Sequence, residues 1–170
     1  GTWPALTKHG KASNVDYVDD IFITKLSPEG EKQWTEIFGS SKDDDAWAIT
    51  TGLDGSIYIA GETRGDLDGQ TNSNADNNDA FITKFSSEGV KEWTKLLGSS
   101  DEDAAESVTT GLDGYIYVTG TTSGNLDSQT NSGQDDVFVS KFSPEGEKQW
   151  TKLIGSSDEE DSRVIELSLI

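Results

Sequence analysis

The 170-residue chain has no cysteine, no methionine, a single histidine and only three prolines. Without cysteine, disulfide bonds, thiolate-bound metals and cysteine nucleophiles are excluded. The lone His9 excludes a multi-histidine metal site in one chain and leaves no convincing Ser-His-Asp set. No apolar run approaches the ~20 residues that a membrane-spanning helix needs, so we expect no membrane insertion.

Basic side chains are also scarce. The chain has 13 Lys and Arg residues and 32 Asp and Glu residues, which gives a formal net charge of −19. Nucleic acids and anionic lipid surfaces are bound mainly through cationic side chains, so we expect no nucleic-acid partner. The length is that of one structural domain with enough chain to bury a core.

The chain repeats itself at a spacing of almost sixty residues, which is its most informative feature. Motifs of the first copy return 59 residues later, with Phe22–Lys25, Trp34, Gly39–Ser41 and Gly52–Gly55 recurring at Phe81–Lys84, Trp93, Gly98–Ser100 and Gly111–Gly114. A third copy begins 57 residues further on, with Phe138, Lys141, Trp150 and Gly155. A fixed period of this size indicates one supersecondary unit copied along the chain, and it suits a propeller blade better than a helical repeat.

Each copy predicts four short β-strands. Asp79–Phe85 is rich in aromatic and β-branched residues, and Lys91–Leu97 follows as its hairpin partner. Ala105–Thr110 and Tyr115–Gly120 flank an Asp-Gly turn, which is a strong hairpin signal. In Asp79–Phe85 both alternate positions carry apolar groups, as expected for strands buried on both faces of a blade.

The order of these motifs resembles the SBBP family of bacterial β-propeller repeats. The resemblance rests on Asp79–Phe85, the Glu-Gly turn, Trp93, Gly98–Ser100 and the Asp-Gly turn with its following strand, and it covers residues 20–157. It implies an all-β propeller of four-stranded antiparallel blades, usually within large secreted or surface proteins. It implies no shared catalytic residues.

Strand counting gives about three blades for one structural domain, with repeat units near 20–78, 79–135 and 136–157. Residues 1–19 are interpreted as mostly loop, with Thr2–Leu6 as a strand candidate, and residues 158–170 as a closing strand. Rings of fewer than four blades are not expected. The chain is therefore either a piece of a longer propeller or half of a six-bladed ring made by a homodimer, and we favour the assembly.

Residues that break the repeat are the better candidates for ligand binding, because a residue present in every copy serves the blade. These are Trp3, Tyr17, Trp47 and Arg64. An aromatic ring that packing does not require can stack on a sugar or seal an interface. Filling of a local gap is the competing interpretation.

A calcium loop is the one cofactor hypothesis that the sequence offers. Asp66, Asp68 and Asp76 are closely spaced oxygen ligands with a turn-forming Gly69 between them. Asp, Asn and Gly also form turns without binding metal, which is the alternative.

Together these patterns predict a non-enzymatic, secreted or cell-surface propeller module that binds carbohydrate or protein or serves in assembly. One alternative is a glycoside hydrolase or lyase using Asp and Glu, which needs a pair of carboxylates at one place. Another is a structural spacer within a large adhesin.

Overall fold

The computed structural model describes residues 18–157 and the backbone of residues 3–7. These ranges contain eleven β-strands and no helix, and nothing in them could span a membrane as a helix. The strands are β1 (Trp3–Thr7), β2 (Ile21–Leu26), β3 (Lys32–Phe38), β4 (Asp44–Thr51), β5 (Ile57–Thr63), β6 (Asp79–Phe85), β7 (Lys91–Leu97), β8 (Asp103–Thr110), β9 (Ile116–Thr122), β10 (Asp136–Phe142) and β11 (Lys148–Ile154).

The strands form three antiparallel sheets in chain order. The first sheet is β1-β2-β3, and two four-stranded blades follow, β4-β5-β6-β7 and β8-β9-β10-β11. The all-β propeller architecture expected from the repeat is confirmed. The terminal segment of residues 158–170, predicted to be a closing strand, lies outside the described residues.

The first sheet begins with a strand at Trp3–Thr7, which overlaps the strand candidate Thr2–Leu6. Residues Trp3–Thr7 form a strand that pairs with β2, placing Trp3 opposite Leu26. In the middle blade, Ile57 holds the same place opposite Phe85. The free edge of β2 offers a full row of backbone donors and acceptors, which an adjacent extended segment satisfies. The first sheet therefore contains the second, third and fourth strands of a blade.

Tight turns close the hairpins at one rim of the stack. In the predicted Gly-Leu-Asp-Gly turns, Gly55 and Gly114 have φ of +82° and +79°. Only glycine adopts this backbone conformation without strain, which explains the position of the hairpins between β4 and β5 and between β8 and β9. Longer loops and the crossovers between blades lie at the opposite rim, which we call the loop rim.

Neighbouring sheets pack face to face through two apolar clusters. Ile21, Ile23 and Phe38 of the first sheet pack against Ile59 and Phe81 of the middle blade. The other face of the middle blade packs against the last blade in the same manner, through a second cluster: Tyr58, Ala60, Ala80, Ile82 and Leu97 meet Ile116, Val118, Phe138 and Phe142. Both faces of the middle blade are thus buried.

The first strands of the two complete blades, β4 and β8, pack against each other. Each carries a β-bulge at the same repeat position, at Trp47 in β4 and at Glu106 in β8. The neighbouring strand contributes Gly61 or Gly120 at this point, and a Cβ there would lie 1.9 Å from the carbonyl oxygen of Asp45 or Ala104. The glycines therefore permit the bulge that places residue 47 out of the regular ladder.

Candidate functional site

The two ends of the stack expose the apolar positions that the internal junctions bury. Ile154 of β11 is 61% exposed, whereas Leu97 and Phe38 at the same repeat position are 2% and 6% exposed. Around Ile154, Val137 and Val139 are only partly buried, while their counterparts Ala80 and Ile82 are fully buried. We call this surface of the last blade the trailing face.

The first sheet presents the opposite half of such a junction. Ile37 is 68% exposed, and Phe22 and Leu26 beside it are partly buried. Their middle-blade counterparts Phe81 and Phe85 are buried against the first sheet. We call this surface the leading face.

The repeated tryptophan contributes to the junctions from the turn rim. A Cβ on Gly89 would lie 2.9 Å from the ring of Trp34, and one on Gly146 would lie 2.9 Å from the ring of Trp93. Each ring therefore lies on the turn glycine of the next blade. Trp34 and Trp93 are partly buried and pack against the two apolar clusters, whereas Trp150, at the trailing face, is 39% exposed.

Trp47 is a largely exposed member of the predicted binding residues. Its side chain is 55% exposed at the bulge of β4. The loop rim begins three residues away, since Asp44 pairs with Thr63 and Arg64 follows directly. Arg64 is exposed, its backbone N–H donates to the carbonyl of Asp43 (3.0 Å), and its Nε donates to Asn78 Oδ1 (3.0 Å). Trp47 and Arg64 thus lie near the same end of one blade.

The other two predicted binding residues are placed differently. Trp3 begins β1, in the first sheet rather than beside Trp47 in the middle blade, and its side chain is outside the described structure. Tyr17 lies outside the described residues altogether.

The carboxylates of the predicted calcium loop are not clustered in the described part of the chain. No group of three or more Asp, Glu or His side chains there is arranged to hold a metal ion. Asp68 instead forms an ion pair with Lys91 and accepts a hydrogen bond from Thr94 Oγ1 (2.5 Å), so its carboxylate points at β7. Asp66 accepts the backbone N–H of Asn72 (2.9 Å) and Asp76 is exposed. The three carboxylates thus have separate surroundings in the described structure, and calcium binding at Asp66, Asp68 and Asp76 stays a prediction.

Buried carboxylates occupy the crossover between the middle and last blades. Asp79 and Asp103 are 0% and 1% exposed. Ser99 donates to Asp103 Oδ2 from its N–H (2.6 Å) and its hydroxyl (2.9 Å), and Ser73 N–H donates to Asp79 Oδ2 (2.8 Å). The Oδ1 atom of each has no hydrogen-bond partner among the described residues.

Burial, with a smaller contribution from the negative charge of Asp79, raises the pKa of Asp103 to about 6. Burial likewise raises the pKa of Asp79. The crossover from the first sheet repeats the arrangement, since burial and the nearby Asp20 raise the pKa of Asp44. These buried carboxylates were not among the residues predicted from the sequence. A repeat signal for them exists, because Asp20, Asp79 and Asp136 occupy one repeat position, at the start of β2, β6 and β10.

Comparison with known proteins agrees with the repeat architecture. The family model of the SBBP β-propeller repeat matches residues 92–127, which run from β7 to the loop after β9. This confirms the resemblance drawn from the sequence motifs.

Two curated relatives extend the similarity. The regulatory protein FlaEY of Caulobacter vibrioides is 28% identical over 94 residues, covering 52% of this chain and 10% of FlaEY. An uncharacterized WD repeat-containing protein of Acanthamoeba polyphaga mimivirus is 24% identical over 165 residues, covering 82% of this chain and 12% of that protein. The chain thus spans about a tenth of the length of these relatives.

Proposed function

Starting from a chain that carries the SBBP β-propeller repeat, we propose that it is a non-enzymatic binding module of a secreted or cell-surface protein, with a carbohydrate or a protein as its ligand. The observation that carries this proposal is the 55% exposure of Trp47 on a bulge of the strand that packs against β8. The same position in the last blade is Glu106, so blade packing does not require an aromatic ring there.

The surroundings of Trp47 support a ligand that is neutral or cationic. The crossovers beside it carry exposed Asp43, Asp101 and Glu102, and the whole chain has a formal net charge of −19. Arg64 adds a hydrogen-bonding fork at the same end of the blade. An aromatic ring with adjacent polar groups is the combination that binds sugar faces and the hot-spot side chains of protein interfaces.

The arrangement of carboxylates favours binding over hydrolysis. A glycosidase needs one pair of carboxyl groups flanking one scissile bond. Here the closely placed pair Asp79 and Asp103 is buried, and a second pair, Asp20 and Asp44, occurs at the preceding junction. Carboxylate pairs that recur at successive junctions favour a role in the blade structure over a role in a single active site.

The test is a binding screen on arrays of oligosaccharides and of purified extracellular proteins. We expect the wild-type chain to bind one class, and Trp47→Ala to weaken that binding at least ~10-fold, because the lost ring contact is an anchor. Leu53→Ala is the matched control, since Leu53 is 80% exposed in a hairpin turn at the opposite rim. Unchanged binding by Trp47→Ala, or release of reducing sugar ends from the array, would contradict the proposal.

A further inference from the structure

The leading and trailing faces are the two halves of one interface that this chain already builds twice internally. At each internal junction, a residue of the fourth strand (Phe38 or Leu97) is buried against the following sheet. At the first junction, the ring of Phe38 lies 5.2 Å from that of Phe85 and 6.2 Å from that of Phe81. Ile154 occupies the place of Phe38, and Phe22 and Leu26 occupy the places of Phe81 and Phe85.

The turn rim gives a second and independent match. Trp93 lies on Gly146 and its Nε1–H donates to the carbonyl of Pro144 (3.1 Å). The turn that receives it reads Ser143-Pro144-Glu145-Gly146, and the turn of the first sheet has the same four residues at positions 27–30.

That first turn has no tryptophan on it in the described structure. A Cβ on Gly30 would meet nothing within 4 Å, although Gly30 has a φ of +85° that matches Gly146 at +83°. Trp150, the third of the repeated tryptophans, is 39% exposed at the other end of the stack. Among the described residues there is therefore one tryptophan without a turn against it and one turn without a tryptophan.

We propose that a second copy of this chain covers both faces, with the trailing face of each copy packed on the leading face of the other. Ile154 then packs on Leu26 of the second copy, and Trp150 lies on its Gly30 turn with Nε1–H donating to the Pro28 carbonyl. The same contact forms twice around a twofold axis. Three sheets from each copy give a ring of six, within the range of blade numbers that close. This inference does not depend on the role of Trp47.

The experiment is light scattering coupled to size exclusion on the wild-type chain and three variants. The wild type is expected at twice the chain mass of 18.3 kDa. Ile37→Asp and Ile154→Asp each place a charge in both copies of the contact, so each variant alone is expected to run as a single chain. Leu53→Asp is the control, because Leu53 is as exposed but lies outside both faces.

Mixing the two interface variants distinguishes a contact between a trailing and a leading face from a contact between two identical faces. The Ile37→Asp chain keeps an intact trailing face and the Ile154→Asp chain keeps an intact leading face, so an equimolar mixture regains one unaltered contact. We expect the mixture to recover a substantial fraction of double-mass species that neither variant forms alone. A wild type of single-chain mass, an open series of larger masses, or a mixture without recovery would each overturn the proposal.

Discussion

The middle blade and the two terminal sheets are built from the same repeat, yet their burial differs strand by strand. In β6 all seven side chains are buried, whereas in the equivalent β10 buried and partly buried positions alternate. Two of the three partly buried positions of β10 carry valine, where β6 has Ala80 and Ile82, and the third carries Lys141, the counterpart of the buried Lys84. Exposure at the ends of the stack therefore reflects which face has a neighbour, since the side chains themselves would suit a buried interface.

Truncating equivalent side chains at a covered and an uncovered junction tests this difference in burial most directly. Leu97→Ala should lower the free energy of unfolding by about 2–5 kcal/mol, because it leaves a cavity between two packed blades. Ile154→Ala should cost less than about 1 kcal/mol in dilute solution, where its side chain is largely in water. Urea unfolding of both variants checks this, and equal costs would show that the two junctions are not distinguished by burial.

The buried carboxylates should make the free energy of unfolding depend on pH. The pKa of Asp103 is raised from 3.8 to about 6, so between these values the folded chain binds a proton that the unfolded chain does not. The free energy of unfolding should accordingly be higher near pH 4 and should fall as the pH rises through about 6. Asp103→Asn should remove this dependence and stabilise the fold near pH 7, by at most about 3 kcal/mol for a two-unit shift.

Asp76→Asn is the matched control for that experiment, because Asp76 is an exposed carboxylate whose loss changes the net charge equally. Unfolding curves at pH 4 to 8 for the two variants and the wild type give the answer. An Asp103→Asn profile parallel to that of the wild type would refute a burial-driven shift at the blade crossover.

The smallest expected effect concerns a contact that does not cross between blades. Asp68 pairs with Lys91 and Thr94, and Asp127 pairs with Lys148 and Thr151 in the same way. Because each contact lies inside its own blade, Asp68→Asn and Asp127→Asn should cost the same, about 1 kcal/mol or less. Thermal unfolding with and without calcium measures both, and a calcium-dependent shift that is lost in Asp68→Asn would support the predicted calcium site.

The sequence was informative wherever a local rule decides the structure. The Asp-Gly turns at Gly55 and Gly114 require a positive φ, so both hairpins were predictable from their residues alone. The two-sided apolar pattern of Asp79–Phe85 predicted a strand buried on both faces, and β6 is buried throughout.

What could not be predicted depends on contacts between distant residues. Residues 3–7 overlap the strand candidate Thr2–Leu6, but their pairing with β2 as the second strand of a blade depends on a partner distant in sequence. Asp68 lies in a sequence typical of a calcium loop, but β7 brings Lys91 into an ion pair with it. The local spacing of residues does not predict this contact, because Lys91 is distant in sequence. Trp34, Trp93 and Trp150 have similar flanking residues, but a turn from the next blade lies against Trp34 and Trp93, and Trp150 is the most exposed of the three.

The most direct test of this account is hydroxyl-radical footprinting of the wild-type chain at low and high protein concentration. Ile37, Ile154 and Trp150 should react readily in dilute solution and become protected as the concentration rises, because a second copy covers both faces. Leu53 and Trp47 should react equally at both concentrations, and Leu97 should stay protected throughout. Reactivity of Ile37 and Ile154 that never falls would contradict the claim that the ends of the stack are two halves of one interface.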